Sequence, residues 1–146
     1  MTKSGEPIGV AVLGAGRMGQ THIRNLAAIP DVRIVCVADP NPHAAEAGRA
    51  LARAERRCTD PRDAIKAEGV DAVVIVTPTS THASLIETAA KAGKAIWSEK
   101  PIALELAETA RVVDVVRAAG VPVQLGFMRR FDPGYAAAKA RIEAGE

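Results

Sequence analysis

Short apolar runs alternate with amphipathic or alanine-rich stretches along the whole chain. Ile8 to Leu13 (IGVAVL) is a continuous apolar run ending at Gly14, the pattern of a parallel strand buried on both faces. Met18 to Ile29 then reads as a helix stopped by Pro30, and Val32 to Ala38 (VRIVCVA) as a second strand closed by Asp39-Pro40. His43 to about Ala54 is Ala-rich and helical, and Arg57 to Thr59 is a short third strand. Asp60-Pro61 opens the next helix, with Asp as N-cap and Pro at the first helical position, and Gly69 follows its end near Ala67. Ala72 to Val76 (AVVIV) is the strongest strand. Thr81 to Ala92 is a helix that Gly93 ends, Ala95 to Ser98 a strand, Leu104 to Ala119 a helix closed by Gly120, and Val123 to Phe127 a last strand.

Strand–helix alternation at this spacing predicts an α/β fold: a doubly wound parallel sheet with helices on both faces. The rhythm breaks after residue 128. Asp132-Pro133-Gly134 is expected to turn, and an Ala-rich helix follows to the end of the chain. The expected division is therefore one domain over 1–128, with 129–146 beginning a connection to a second domain that these residues do not include.

Composition narrows the field. With 146 residues the chain has room for one ordinary domain and a true core. A net charge of +2 is too small to argue for nucleic acid, and 3% aromatic residues leave no base-stacking platform. Arg56-Arg57 and Arg129-Arg130 are the only basic clusters, and pairs this short read as solvated surface. The leader MTKSGEP is short and polar, unlike a signal peptide, and no apolar run approaches the roughly 18 residues of a membrane span. A cytoplasmic protein without membrane or nucleic-acid partners is expected. Cys36 and Cys58, each in a strand, read as small buried hydrophobes in a reducing compartment; no disulfide and no metal site is expected.

The chemistry begins where the first strand meets the first helix. Gly14-Ala15-Gly16-Arg17-Met18-Gly19 is a G-x-G-x-x-G. Gly14 permits the tight turn, Gly16 lets the backbone approach a pyrophosphate, and Gly19 lets the helix pack on the strand. The helix N-terminus offers free N–H groups and partial positive charge to the phosphates, so the loop, Arg17 and Met18 included, reads as cofactor-binding. Asp39 stands twenty residues past Gly19, at the end of the second strand. A carboxylate there accepts hydrogen bonds from ribose hydroxyls and repels a 2′-phosphate, and Pro40 and Asn41 supply no offsetting cation. NAD is favoured over NADP. These features define a Rossmann-type dinucleotide-binding fold.

Three further motifs follow strands: Thr77-Pro78-Thr79-Ser80-Thr81-His82, Glu99-Lys100-Pro101, and Gly126-Phe127-Met128-Arg129-Arg130-Phe131-Asp132. Together with GAGRMG they resemble the Gfo/Idh/MocA family of dehydrogenases, which act on sugars, inositols and related polyols; the last run is most similar to the inositol 2-dehydrogenase branch. The resemblance implies that Thr77, Pro78 and Thr79 pack against the cofactor and that His82 opens the next helix beside it. It implies that Glu99 and Lys100 lie near the nicotinamide ribose, with Lys100 contacting the substrate hydroxyl in the proton relay. Met128 and Arg129 would line the nicotinamide side of the cleft. Lys100 suits that role if it is partly desolvated beside the cofactor's positive ring. The turn and the resemblance also point to a cis Lys100–Pro101 bond.

Of the remaining candidates, His22 reads as packing or surface, His43 as solvated at a helix start, and Trp97 as core or cleft lining. The family's second domain, which carries further catalytic residues and the homo-oligomer interface, is absent from these residues. The expectation is the NAD-binding half of an oxidoreductase acting on a polyol or sugar, inositol first, with little or no turnover by this chain alone. A stand-alone module that senses NAD(H) without catalysis is the alternative; a domain for another adenosine ligand is a third.

Overall fold

The computed structural model describes residues 5–146; residues 1–4 of the polar leader lie outside the described part. Six strands form one sheet: β1 (Ile8–Leu13), β2 (Val32–Ala38), β3 (Arg56–Cys58), β4 (Ala72–Ile75), β5 (Ala95–Ser98) and β6 (Val123–Leu125). Helices connect them: α1 (Arg17–Ala27), α2 (Pro42–Ala52), α3 (Pro61–Lys66), α4 (His82–Lys91) and α5 (Leu106–Ala119), with α6 (Pro133–Glu143) after β6. Every strand pair is parallel, and the order is β3-β2-β1-β4-β5-β6. This is the Rossmann order, whose topological switch point lies between β1 and β4.

The period of two along β1 sorts its side chains between two cores. Ala11 and Leu13 join Val35, Val73, Ile75 and residues of α3, α4 and α5 on one face. Val10 and Val12 join Ile23 of α1, Ile34, Val37 and Val74 on the other. Each buried Val, Leu or Ile contributes about 1.5–3 kcal/mol by leaving water, so both faces are needed to hold the sheet.

Local chemistry sets the element ends. Asn41 caps α2 by accepting from His43 N–H and Ala44 N–H, with Pro42 at the first helical position. Asp60-Pro61 does the same for α3. Asp132-Pro133-Gly134, expected to turn, repeats that device: Asp132 accepts from the N–H groups of Gly134 and Tyr135, and α6 starts at Pro133. The last strand is shorter than expected because Phe127 takes an inverse γ conformation (φ −79°, ψ 67°), with Met128 N–H donating to the Gly126 carbonyl at 2.9 Å. A 3₁₀ turn at Thr79–Thr81 precedes α4, where the helix was expected to begin at Thr81. Gly93 and Gly120 both take positive φ after their helices, as expected of C-terminal glycines. The Lys100–Pro101 peptide bond is cis.

The two cysteines are free, but they are not independent. Neighbouring strands β2 and β3 bring the sulfurs of Cys36 and Cys58 within 3.1 Å. Burial, reinforced by the hydrogen bond shared with Cys58, pushes the Cys36 thiol up to about 12. Among the described residues no helix is long and apolar enough to cross a membrane.

Candidate functional site

The glycine loop closes the carboxyl end of β1. Gly14 sits at φ 102°, where L side chains are strained, and a Cβ there would lie 2.7 Å from the Val76 carbonyl oxygen. Its N–H donates to the Ala38 carbonyl at 2.7 Å, tying the ends of β1 and β2 together. A Cβ on Gly19 would overlap the Gly14 carbonyl, so only glycine lets α1 pack this closely. Gly16, by contrast, faces open space, and no side chain caps the N-terminus of α1. Its first-turn N–H groups are left for solvent or a ligand, where the helix dipole favours an anion.

Asp39 joins the loop to the next strand. One carboxylate oxygen accepts from Ala15 N–H at 2.8 Å and the other from Asn41 N–H at 2.9 Å. The carboxylate therefore shapes the glycine turn and still faces a cavity of about 730 Å³. Gly14, Gly16, Arg17, Met18, Asp39, Thr77 and Pro78 all line that cavity, so seven of the residues singled out in the sequence converge on it. It opens between β1 and β4, at the switch point where open α/β sheets take their ligands.

Sequence reasoning missed Arg62, Thr81, Ser84 and Leu85, which line the same cavity. Pro40 and Asn41 supply no cation, but Arg62 brings one to the cavity that Asp39 lines. The signal was available: the Asp60-Pro61 cap starts α3 at the carboxyl end of β3, beside the end of β2 where Asp39 lies.

Other candidates lie elsewhere. Gly19 is behind the loop, and Thr79 belongs to the 3₁₀ turn beside the cavity. His82 is buried, with Nδ1 2.8 Å from the Pro101 carbonyl oxygen and Nε2 2.9 Å from that of Thr77. Its ring is committed to joining the loops after β4 and β5, so the expected side-by-side contact with cofactor is not available to its nitrogens. Glu99 and Lys100 stand one strand over, at the end of β5. Lys100 is exposed, so residues 5–146 do not supply the desolvation expected around it. Met128 and Arg129 are exposed as well, the Arg129 guanidinium lying 4.7 Å from the centre of the Tyr135 ring, outside the cavity. His43 is exposed on α2, as expected.

Residues 8–127 match the profile of the Gfo/Idh/MocA oxidoreductase family, NAD-binding Rossmann fold. The chain belongs to this family. Gfo/Idh/MocA relatives include the scyllo-inositol 2-dehydrogenase (NAD(+)) of Bacillus subtilis, 48% identical over 93% of the chain and 40% of the relative. The inositol 2-dehydrogenase of Rhizobium meliloti is 45% identical over 92% of the chain and 40% of its own length. In structure, the scyllo-inositol dehydrogenase of Lactobacillus casei with bound NAD(H) and scyllo-inositol superposes with a TM-score of 0.88 at 33% identity, over 96% of this chain and 42% of that one. The chain thus spans about two fifths of these Gfo/Idh/MocA relatives. It is the NAD-binding domain of an oxidoreductase.

Proposed function

We propose that the chain is the cofactor half of an NAD-dependent dehydrogenase that takes hydride from a ring hydroxyl of a cyclic polyol, inositol first, or of a sugar. The observation that carries this reading is the cavity in which the uncapped N-terminus of α1 and the Asp39 carboxylate face the same space. A dinucleotide needs those two features at opposite ends of its adenosine diphosphate: N–H donors for the phosphates and a carboxylate for the ribose. Open space at Gly16 fits the close approach of a diphosphate.

Gly14, Gly16, Arg17 and Met18 would hold the diphosphate, with Gly19 keeping the helix against the strand. Asp39 would accept from the adenosine ribose, and Thr77, Pro78 and Thr79 would form the wall beside the cofactor. NAD, when bound, supplies the hydride acceptor. Lys100 would hydrogen-bond the substrate hydroxyl and move its proton, with Glu99, Met128 and Arg129 beside the nicotinamide end and His82 fixing the turn that carries Lys100. Residues 129–146 begin the connection toward a second domain, in a homo-oligomer whose home is the cytoplasm. Free thiols at Cys36 and Cys58 suit that reducing compartment. Without the second domain the 146 residues turn over little or no polyol. A stand-alone NAD(H) sensor has no support in the two relatives compared above, both dehydrogenases by name.

The test is to titrate NAD+ and NADP+ separately into the chain, by calorimetry or by the emission of Trp97, the single tryptophan. Preferential NAD+ binding is the expected result, and binding of neither nucleotide refutes the cofactor reading. For the substrate, the assay is NADH formation by the complete enzyme. Activity with glucose or galactose but not inositol would reject the first choice.

A further inference from the structure

His22 lies on α1 three residues past Gly19, yet its partners are at the far end of another strand. Its Nε2 is 3.3 Å from a carboxylate oxygen of Glu99, and its ring centroid is 4.5 Å from that of Trp97, tilted by 54°. The other Glu99 oxygen accepts from the Lys100 N–H at 3.3 Å. Both side chains are largely withdrawn from water, His22 to 21% exposure and Glu99 to 14%. On the other side, Gly126 closes the cluster: a Cβ there would lie 2.8 Å from the Trp97 ring. The dinucleotide helix, the end of β5 and the end of β6 thus meet in one polar and aromatic knot, outside the cavity.

We propose that His22 is a positioning residue: by holding Glu99, it sets the Glu99-Lys100 turn relative to the helix whose N-terminus faces the cofactor phosphates. The inference rests on the NAD reading given above. A carboxylate only accepts, so the imidazole Nε2 must carry the proton and donate it. Trp97 packed on the imidazole limits its swing, so a shift of α1 moves Glu99 with it. Glu99 in turn holds the backbone of Lys100. If His22 only filled space, an apolar residue of similar volume would serve. If it positions Glu99, the N–H donor is what matters.

The experiment compares three forms of the 146-residue chain: unchanged, His22→Gln and His22→Leu. Gln keeps a donor, and Leu keeps bulk without one. NADH and 5′-AMP are titrated into each by calorimetry, with thermal denaturation as the check on folding. His22→Leu is expected to weaken NADH binding by roughly threefold to tenfold, the net value of one ordinary hydrogen bond felt indirectly through the Glu99-Lys100 turn. His22→Gln restores it to within about twofold, and 5′-AMP, which occupies only the adenosine end, binds all three forms alike. NADH binding by His22→Leu equal to the unchanged chain, or no better recovery with Gln than with Leu, overturns the proposal. A uniform loss of 5′-AMP and NADH binding does so too, since it marks a general structural defect. If the unchanged chain binds neither nucleotide, the cofactor reading itself falls. Should His22→Leu fail to fold, His22→Met, a second side chain without a donor, carries the same expectation.

Discussion

Replacing Asp39 with Ala should damage the fold and the cofactor affinity by separable amounts. The carboxylate serves two backbone donors, Ala15 N–H at 2.8 Å and Asn41 N–H at 2.9 Å. Ala15 is buried while Asn41 is exposed, so water can replace the second bond and not easily the first. One orphaned buried donor costs about 1–3 kcal/mol. In a domain of this size each kcal/mol moves the midpoint by about 3 °C, so the chain without ligand should melt roughly 3–9 °C lower. The lost charged acceptor for the ribose removes a further 1.5–3 kcal/mol from binding, about tenfold to a hundredfold in the NAD+ dissociation constant. Asp39→Asn keeps an acceptor oxygen but no charge, and should recover part of the melting temperature without recovering NAD+ affinity. Because Arg62 stays in the cavity, the ratio of NADP+ to NAD+ affinity should rise in both variants. Calorimetry with each nucleotide and thermal denaturation without ligand check these values. An Asp39→Ala chain that melts normally, or binds NAD+ within twofold of the original, refutes the reasoning.

Gly14→Ala places a Cβ at φ 102° against the Val76 carbonyl, and strain of that kind costs about 1–3 kcal/mol before the clash is counted; urea denaturation showing a loss under 0.5 kcal/mol (about a third of the 1.4 kcal/mol decade) would contradict it. The Cys36 thiol is held protonated up to about 12, against an ordinary value of 9.0. Its contribution is therefore whole below pH 9.0 and is lost as pH climbs, because the unfolded chain gives up a proton that the folded one keeps. Melting temperature should fall more steeply above that pH than in Cys36→Ala, and equal slopes would exclude the effect. Leu104, Leu106, Phe131 and Ile142 are 70–84% exposed, so the chain alone should self-associate or be marginally stable, and Leu106→Glu with Phe131→Glu should reduce association in light scattering; a clean, highly stable monomer of the unchanged chain is the contrary result.

Strands were legible where burial on both faces leaves a mainly apolar run between punctuating residues. Ile8–Leu13, Val32–Ala38 and Ala95–Ser98 match the expected bounds at both ends. Helix starts were legible through Asp60-Pro61 but not through Asp132-Pro133, where a following Gly134 suggested a turn although the same carboxylate cap operates. The cavity residues after β1, β2 and β4 were readable because each follows its strand directly. Contacts made by register were not: nothing local pairs Cys36 with Cys58 or sets His22 against Glu99, 77 positions away. The exposure of Lys100 was equally hidden, since solvent cover depends on what packs over a strand end and not on the residues within it.

The place of β1 in the sheet governs the order in which the chain can assemble. One of its edges pairs with β2, a single helix away, while the other waits for β4, anchored by the Gly9 N–H to Asp71 bond across 62 positions. Closing that long loop costs more chain entropy, so β1, α1 and β2 can settle first as the polypeptide emerges from the ribosome. Until residue 72 arrives, the other side of IGVAVL is an unpaired apolar edge, the kind of surface that recruits foreign strands. How long that edge stays open is thus set by the order of the strands along the chain and not by any contact in the finished core.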